Sequence, residues 1–315
     1  MAKRPLNVLV TGAAGYIGSI LVPELLKNGY GVIALDNFMY GQDSLLGCCN
    51  DRNLTVVRGD ARDKNIITNL IKKADVILPL ACLTGAPLCQ KSPFEAKAIN
   101  VDALKLILKL RSKKQIIIFP TTNSGYGVGR KNIFCTENTP LRPVSLYGKL
   151  KVEIEKVLLD AKNCITLRLA TTFGVSPRMR LDLLVNDFTY RAVNDGYVVL
   201  YQAHYKRNYI HVRDAAAAFM HCLRNFPRMK DQPYNVGLSE ANLSKLELCR
   251  EIKKLVPNFY FVEAEVGVDE DKRNYIVSNE KIEKTGFHPA ISLQEGIEEL
   301  IKGYQIIRNN RFSNI

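Results

Sequence analysis

The chain lacks any apolar run that approaches the ~18–20 residues of a membrane span. It lacks a cysteine framework as well. Its eight cysteines (48, 49, 82, 89, 135, 164, 222 and 249) form no Cys-x-x-Cys pair, and its four histidines form no His-x-x-x-His pair. Scattered thiols of this kind read as reduced core or surface residues, so neither a disulfide scaffold nor a metal is expected. No secretory leader is recognisable: Met1-Ala2-Lys3-Arg4-Pro5 leads directly into a short apolar run over 6–10 and a glycine loop. The expected compartment is the cytosol. Internal repeats and low-complexity segments are also missing, and acidic residues are outnumbered.

Forty-four Lys and Arg face 31 Asp and Glu, a net charge of +13. Such a balance raises a nucleic-acid reading. The basic residues nevertheless fall in short clusters, such as Lys72-Lys73, 111–114 and Lys253-Lys254, at predicted helix ends where cations offset the macrodipole. A solvated surface, with a positive cleft for an anionic nucleotide ligand, accounts for them; no nucleic-acid partner is expected. Hydrophobic content of 47% with 24% charged residues suits a soluble globular protein. A length of 315 residues allows one large domain or two coupled ones.

Residues 6–10 form a short apolar run followed by Thr11-Gly12-Ala13-Ala14-Gly15-Tyr16-Ile17-Gly18. Ile17, Ile20, Leu21 and Leu25 then recur at helical spacing up to Gly29, and a second apolar run over 32–35 ends in Asp36. Strand, glycine turn, helix, strand and acid together make a dinucleotide-binding unit. Glycines let the backbone approach a pyrophosphate, and amides at the helix start bind its charge. Asp36 can bind both ribose hydroxyls and would repel a 2′-phosphate.

The alternation continues with strands at 54–57, 74–80, 115–119 and 164–169 and a helix at 63–73. A long helix to about Leu110 is opened by an apparent capping box, Ser92-Pro93-Phe94-Glu95. Repeated strand–helix units predict an α/β fold of Rossmann type, a doubly wound parallel sheet covered on both faces. Ligands bind beyond the carboxyl ends of such strands, which places Asp36, Asp60, Ala81-Cys82 and Thr121-Thr122 on one rim. Beyond about residue 172 the pattern fades. Helices are predicted at 181–193, 213–225, and after two further capping boxes, Ser244-x-x-Glu247 and Ser292-x-x-Glu295; a short strand is predicted at 208–211. This half reads as a smaller C-terminal α/β substrate lobe. The division is a cofactor domain at 1–172, with a return of the chain around 205–235, and a lobe from 173–204 and 236–315. The tail from Arg308 carries no clear pattern.

Tyr147-Gly148-Lys149-Leu150-Lys151 can do chemistry. Residues four apart share a helix face. A nearby ammonium favours the phenolate, lowering a phenol pKa of ~10 by roughly 1–3 units and making Tyr147 a proton acceptor near neutrality. The spacing alone also fits two unrelated surface residues.

Thr11-Gly12-x-x-Gly15-x-x-Gly18, Asp36-Asn37, Asp60, Leu80-Ala81, Thr122 and Tyr147-x-x-x-Lys151 resemble an extended short-chain dehydrogenase/reductase. In particular they are similar to the NAD-dependent nucleotide-sugar epimerase/dehydratase group; Arg207-Asn-Tyr-Ile-His-Val-Arg-Asp214 and Tyr234-Asn-Val-Gly237 fit its later motifs. Residues 79–89, 122–127, 176–186 and 273–281 resemble a narrower branch, dehydrogenases acting at carbon 4 of a GDP-linked heptose in capsule or lipopolysaccharide biosynthesis. The resemblance implies NAD as cofactor, held by Gly12, Gly15, Tyr16, Ile17, Gly18, Asp36, Asn37, Asp60, Ala61, Leu80, Ala81, Tyr147 and Lys151. It implies catalysis by Tyr147, Lys151 and Thr122, with Thr121 as an adjacent candidate for the last role. Thr84, Asn123, Ser124, Arg178, Arg180, Asn186, Arg207 and Arg273 are implied in substrate binding. Capping of the turn that follows is a lesser alternative for Asp60, Arg178 and Arg180 equally suit solvent-facing roles, and Asn100 and His211 suit structural hydrogen bonds.

Departures narrow the reading. Where dehydratases of the group carry Asp-Glu after the catalytic Thr, this chain has Asn123-Ser124, which disfavours dehydration; Thr171 replaces a substrate-contacting Asn, and Cys82 stands where Ala is usual. The expectation is an NAD-dependent carbon-4 oxidoreductase of a nucleotide-linked sugar. A 4-epimerase with transient NADH is the alternative, and a non-catalytic NAD-binding sensor a distant one. The resemblance also implies a homodimer through the helices near 92–110 and Tyr147, whose Leu104, Ile107, Leu108, Val152 and Leu158 suit either an interface or the internal core.

Overall fold

Seven parallel strands carry the cleft: β1 (Asn7–Thr11), β2 (Gly31–Asp36), β3 (Leu54–Arg58), β4 (Val76–Pro79), β5 (Ile116–Thr122), β6 (Cys164–Leu169) and β7 (Gln232–Val236). The computed structural model describes residues 5–41, 43–264 and 273–307; the tail from Arg308 lies outside them. Strand order is β7-β6-β5-β4-β1-β2-β3, the doubly wound arrangement that reverses direction between β1 and β4.

Alternate residues of each inner strand enter opposite cores, as strand periodicity requires. Val8, Val10, Val32, Ala34, Val76, Leu78, Ile118, Ile165 and Leu167 face helices α1 (Gly18–Lys27) and Val212–Arg224. Leu9, Ile33, Leu35, Ile77, Ile117 and Phe119 face α2 (Lys64–Ile71), the helical stretch 93–110 and α3 (Leu146–Ala161). Burial on both faces is why these strands read as continuous apolar runs. Strand β7 and the Val212–Arg224 helix return the chain to this sheet after the excursion that follows β6.

The second lobe has its own core, built on Phe173, Phe188, Tyr209, Leu248, Phe259, Leu300 and Tyr304. Its strands are short, which is why alternation fades in the sequence. Thr171–Phe173, Lys206–His211 and Asn242–Ser244 make one small sheet. Tyr197–Leu200 pairs with Tyr260–Glu263, and Phe134–Cys135 with Ile276–Val277.

Two of the three predicted capping boxes form in full, at Ser244/Glu247 and Ser292/Glu295. The third does not. Ser92 makes no side-chain cap because it also ends the helix Ala86–Lys91, and its amide donates to the Leu88 carbonyl (3.1 Å), where Glu95 would have to reach. The long helix that follows is also not uniform: a π-turn occupies Ala98–Asp102. Leu104, Ile107 and Leu158 are buried in the internal core, and Leu108 packs against it. The outer surface of these two helices carries an exposed ion pair, Lys105–Glu153 (2.7 Å). Among the described residues no helix is long and apolar enough to cross a membrane, and no cluster of side chains could hold a metal ion.

Candidate active site

One cleft runs along the carboxyl ends of the strands, between the sheet and the second lobe. The loops after β1, β2, β3, β4 and β5 all reach it. Its cofactor end is made mostly of backbone. Gly12 sits at φ +69°, and a Cβ there would lie 2.6 Å from the Ala81 nitrogen; at Gly18 a Cβ would lie 2.5 Å from the Gly12 and Ala13 carbonyls. Only glycine allows this loop to close against β4 and turn into α1. Helix α1 has no side-chain cap; the Ser19 and Ile20 amides donate to the Gly15 (2.9 Å) and Ile17 (3.1 Å) carbonyls, which leaves the Gly18 amide of the first turn for an anion. The Asp36 carboxylate accepts the Ala14 amide (2.9 Å) and the Phe38 amide (2.8 Å), so its position is fixed with lone pairs to spare for hydroxyls.

Gly15, Tyr16, Ile17, Asn37, Asp60, Ala61, Leu80 and Ala81 all line this end. Asp60 has a second role. It accepts the Arg62 amide and pairs with the Arg62 guanidinium (2.6 Å), which holds its carboxyl below the usual range. The Tyr16 hydroxyl is spent on structure, donating to the Gly174 carbonyl (2.7 Å) and accepting from Asn186 (3.2 Å); burial pushes its phenol up.

At the centre, Ser145 starts α3 by accepting the Gly148 amide (3.1 Å). That helix presents Tyr147 and Lys151 to the cleft and carries, four residues on, Glu155, which is buried behind it. Glu155 accepts from the Thr121 hydroxyl (2.8 Å) and pairs with Arg168 (2.7 Å). Arg168 donates to the Tyr126 hydroxyl (3.0 Å), which in turn donates to Asn235 (2.7 Å) on β7. This network bolts α3 to β5, β6 and β7. It also separates the two threonines: Thr121 is engaged by Glu155, whereas the Thr122 hydroxyl donates to Ser124 Oγ (2.9 Å) and accepts the Ser124 amide (3.1 Å). Sequence reasoning missed the network, although Tyr147, Lys151 and Glu155 follow one another at intervals of four.

One expectation is corrected. The Lys151 ammonium donates to the Pro120 carbonyl (3.0 Å) and sits 4.4 Å from the centre of the Phe119 ring, against 5.9 Å from that of Tyr147. It does not draw the Tyr147 proton off. Burial pushes the Tyr147 phenol above its ordinary value, with Cys82 and Cys89 adding to the rise; Arg180 and Arg273 are the cations that oppose it.

The end opposite the glycine loop, where a substrate is expected, is made of side chains. Thr84, Ser124, Arg180, Arg273 and Thr171 line it, and Arg273 donates to Ser124 Oγ. Arg180 is paired with Asp182 (2.5 Å). Arg178 is buried, its guanidinium stacked 3.8 Å from the centre of the Tyr40 ring; a solvent-facing role does not apply to it. Three expected residues do not line the cleft. Asn186 is fully buried and structural, bonding the Gly174 amide (2.9 Å), Tyr16 and the Arg180 carbonyl (2.8 Å). Arg207 is buried against Tyr275 (5.6 Å) and donates to the Lys206 carbonyl (2.9 Å). Asn123 points into the protein, and neither polar atom of its side-chain amide has a hydrogen-bond partner among the described residues. Asn100 grips both backbone groups of Leu83 (2.9 and 3.0 Å), and His211 caps its helix through the Arg213 amide (3.2 Å).

The profile of the NAD dependent epimerase/dehydratase family matches residues 8–237, well over half of the chain. The chain belongs to that family. It is therefore an enzyme with NAD as its cofactor, and the close-packed glycine loop and the pinned Asp36 fit that dinucleotide. The low-salt glycan biosynthesis protein Agl12 of Haloferax volcanii is 29% identical over 312 residues, covering 95% of this chain and 98% of that protein. The crystal structure of UDP-glucose 4-epimerase with UDP-glucose from Thermotoga maritima superposes with a TM-score of 0.84 at 24% identity, over 96% of this chain and 99% of that one. The Thermus thermophilus UDP-glucose 4-epimerase in complex with NAD gives 0.82 at 23% identity, over 95% and 99%. At such identities the two structures establish the fold alone.

Proposed function

We propose that this family member oxidises carbon 4 of a nucleotide-linked sugar. The observation that carries the reading is the convergence of Tyr147, Lys151 and the Thr122 side of β5 on one cleft with the glycine loop. NAD, when bound, supplies the hydride acceptor. Thr122 hydrogen-bonds the reacting oxygen and Tyr147 takes the hydroxyl proton. Lys151 turns from the Pro120 carbonyl toward the nicotinamide ribose. Because burial holds the Tyr147 proton on, removal of that proton depends on cations: Arg180 and Arg273 face it already. Arg273 and Arg180 also suit the substrate's phosphates, since planar guanidinium forks match phosphate oxygens.

The substrate we favour is a GDP-linked heptose destined for a surface polysaccharide, on the resemblance carried by 79–89 and 176–186; a glycan-biosynthesis protein among the relatives agrees with that direction. Asn123 and Ser124 offer no acid–base pair for dehydration. Cytosolic operation as a homodimer through 93–110 and α3 completes the reading, and sedimentation tests the dimer. Tyr147→Phe should abolish turnover of the sugar nucleotide while NAD stays bound; full activity in that variant would sink the mechanism. Mass spectrometry of nucleotides retained through purification identifies the base, and a retained uridine nucleotide removes the GDP reading.

A further inference from the structure

Two loops from opposite sides of the cleft meet over the glycine loop. After β2, Asn37 Oδ1 accepts the Met39 amide (3.1 Å) and the Gly41 amide returns to the Phe38 carbonyl (3.1 Å). Phe38 (φ 55°) is left-handed, which is uncommon for a residue other than glycine, and Gly41 (φ 59°) takes the same region freely, so the tip bearing Tyr40 is a tight turn. From the second lobe, Ser176 donates to the Tyr16 carbonyl (2.8 Å) and bonds Ser19 (2.9 Å), which fixes its loop on the start of α1. That loop delivers Arg178, 2% exposed, onto the Tyr40 ring. Both side chains line the cleft, and Asp36 is the least of the charges that act on Arg178, after Tyr40, Arg180 and Asp182. A cation held this close to a ring away from water is at the strong end of such contacts.

We propose that Tyr40 and Arg178 form a latch over the dinucleotide, which must open before the cofactor can exchange. Arg178 then serves the cofactor side of the cleft, where the resemblance assigns it to substrate. The proposal rests on NAD(H) occupying this cleft, as the proposed function requires. If the latch outlasts the sugar's residence, the hydride taken from carbon 4 stays on the enzyme and can return to the ketone, with the Tyr147 proton going back to its oxygen. No net oxidation results. If it opens first, keto sugar and NADH leave and the net product is oxidised.

The test needs no sugar nucleotide. NADH is loaded on the purified enzyme, and its release into excess NAD⁺ is followed by fluorescence. Tyr40→Ala and Arg178→Met should each release NADH about tenfold faster or more. Tyr40→Phe, which keeps the ring, should release at the parent rate. The double variant should be no faster than either single one, since both remove the same contact. Singles within twofold of the parent, or a double variant whose effects multiply, would overturn the latch. Should Arg178→Met fail to fold, the contrast between Tyr40→Ala and Tyr40→Phe decides alone. A parent enzyme that binds NADH, with the expected pattern, but never oxidises a sugar leaves the latch standing and removes the proposed reaction; a parent that binds no NADH overturns both.

Discussion

The two ends of the cleft are built from different material. At the cofactor end the groups that would meet the ligand are amides and α-carbons, fixed by Gly12, Gly18 and the Ala14–Asp36 bond. At the substrate end they are long side chains, Arg180 and Arg273, held by Asp182 and by Ser124. Backbone leaves little room for substitution, because its shape is the fold itself. Side-chain forks can be exchanged with little effect on the fold, so specificity can change there while the dinucleotide is kept.

That difference sets an order of expected effects. Gly12→Ala should be the most damaging: a left-handed non-glycine residue costs roughly 1–2 kcal/mol and the overpacking against Ala81 a further ~1–3 kcal/mol. Calorimetry should find lower stability and weaker NAD binding together; a variant that loses only substrate affinity breaks the comparison. Arg168→Met should lower stability as much, since it strands the buried Glu155 carboxylate at a cost of about 3–5 kcal/mol, but without the loss of NAD binding. Denaturant titration measures that loss, and an unchanged midpoint would mean α3 is not held by the network.

Arg180→Gln should act the other way. KM for the sugar nucleotide should rise about tenfold, as expected for a charge-assisted hydrogen bond worth ~1.5–3 kcal/mol, while the melting temperature moves little. A collapse in stability instead would make the substrate end as fold-dependent as the cofactor end. Alkali should affect the cofactor end and the centre alike. Burial raises the phenols of Tyr16 at one end and Tyr147 at the centre above their unfolded value of ~10. The folded state therefore favours their neutral form; that stability is present below pH ~10 and is lost as pH rises beyond it. Unfolding monitored against pH should show the loss, and its absence would mean the two rings are hydrated in solution. The smallest effects are at the caps: Ser244→Ala and Ser292→Ala should each cost about 1 kcal/mol, and Ser92→Ala nothing measurable.

The same contrast explains what could be read in advance. Glycines at 12, 15 and 18 and an acid at 36 encode a backbone shape within a short stretch of chain, so local pattern suffices. Asn186 and Arg207 sit on the expected elements yet point into the protein, a matter of helix rotation and strand facing that no motif records. Tyr40 is silent in the sequence because its partner Arg178 lies far along the chain. The Glu155–Arg168 pair joins a helix to the strand that follows it, and only burial distinguishes it from a surface ion pair.

The π-turn at Ala98–Asp102 has a consequence for the chain's length. A π-turn accommodates one residue more than an α-helix of the same rise, and the surplus here falls where Asn100 reaches back to hold the Leu83 backbone beside the cleft. Deleting one residue between 98 and 102 should straighten the helix while leaving both its ends in register with the core. The helix would survive, but the clamp on the loop would not. A gap of one residue in mid-helix, met in a relative, would then mark a freer loop beside the cleft and not a broken fold.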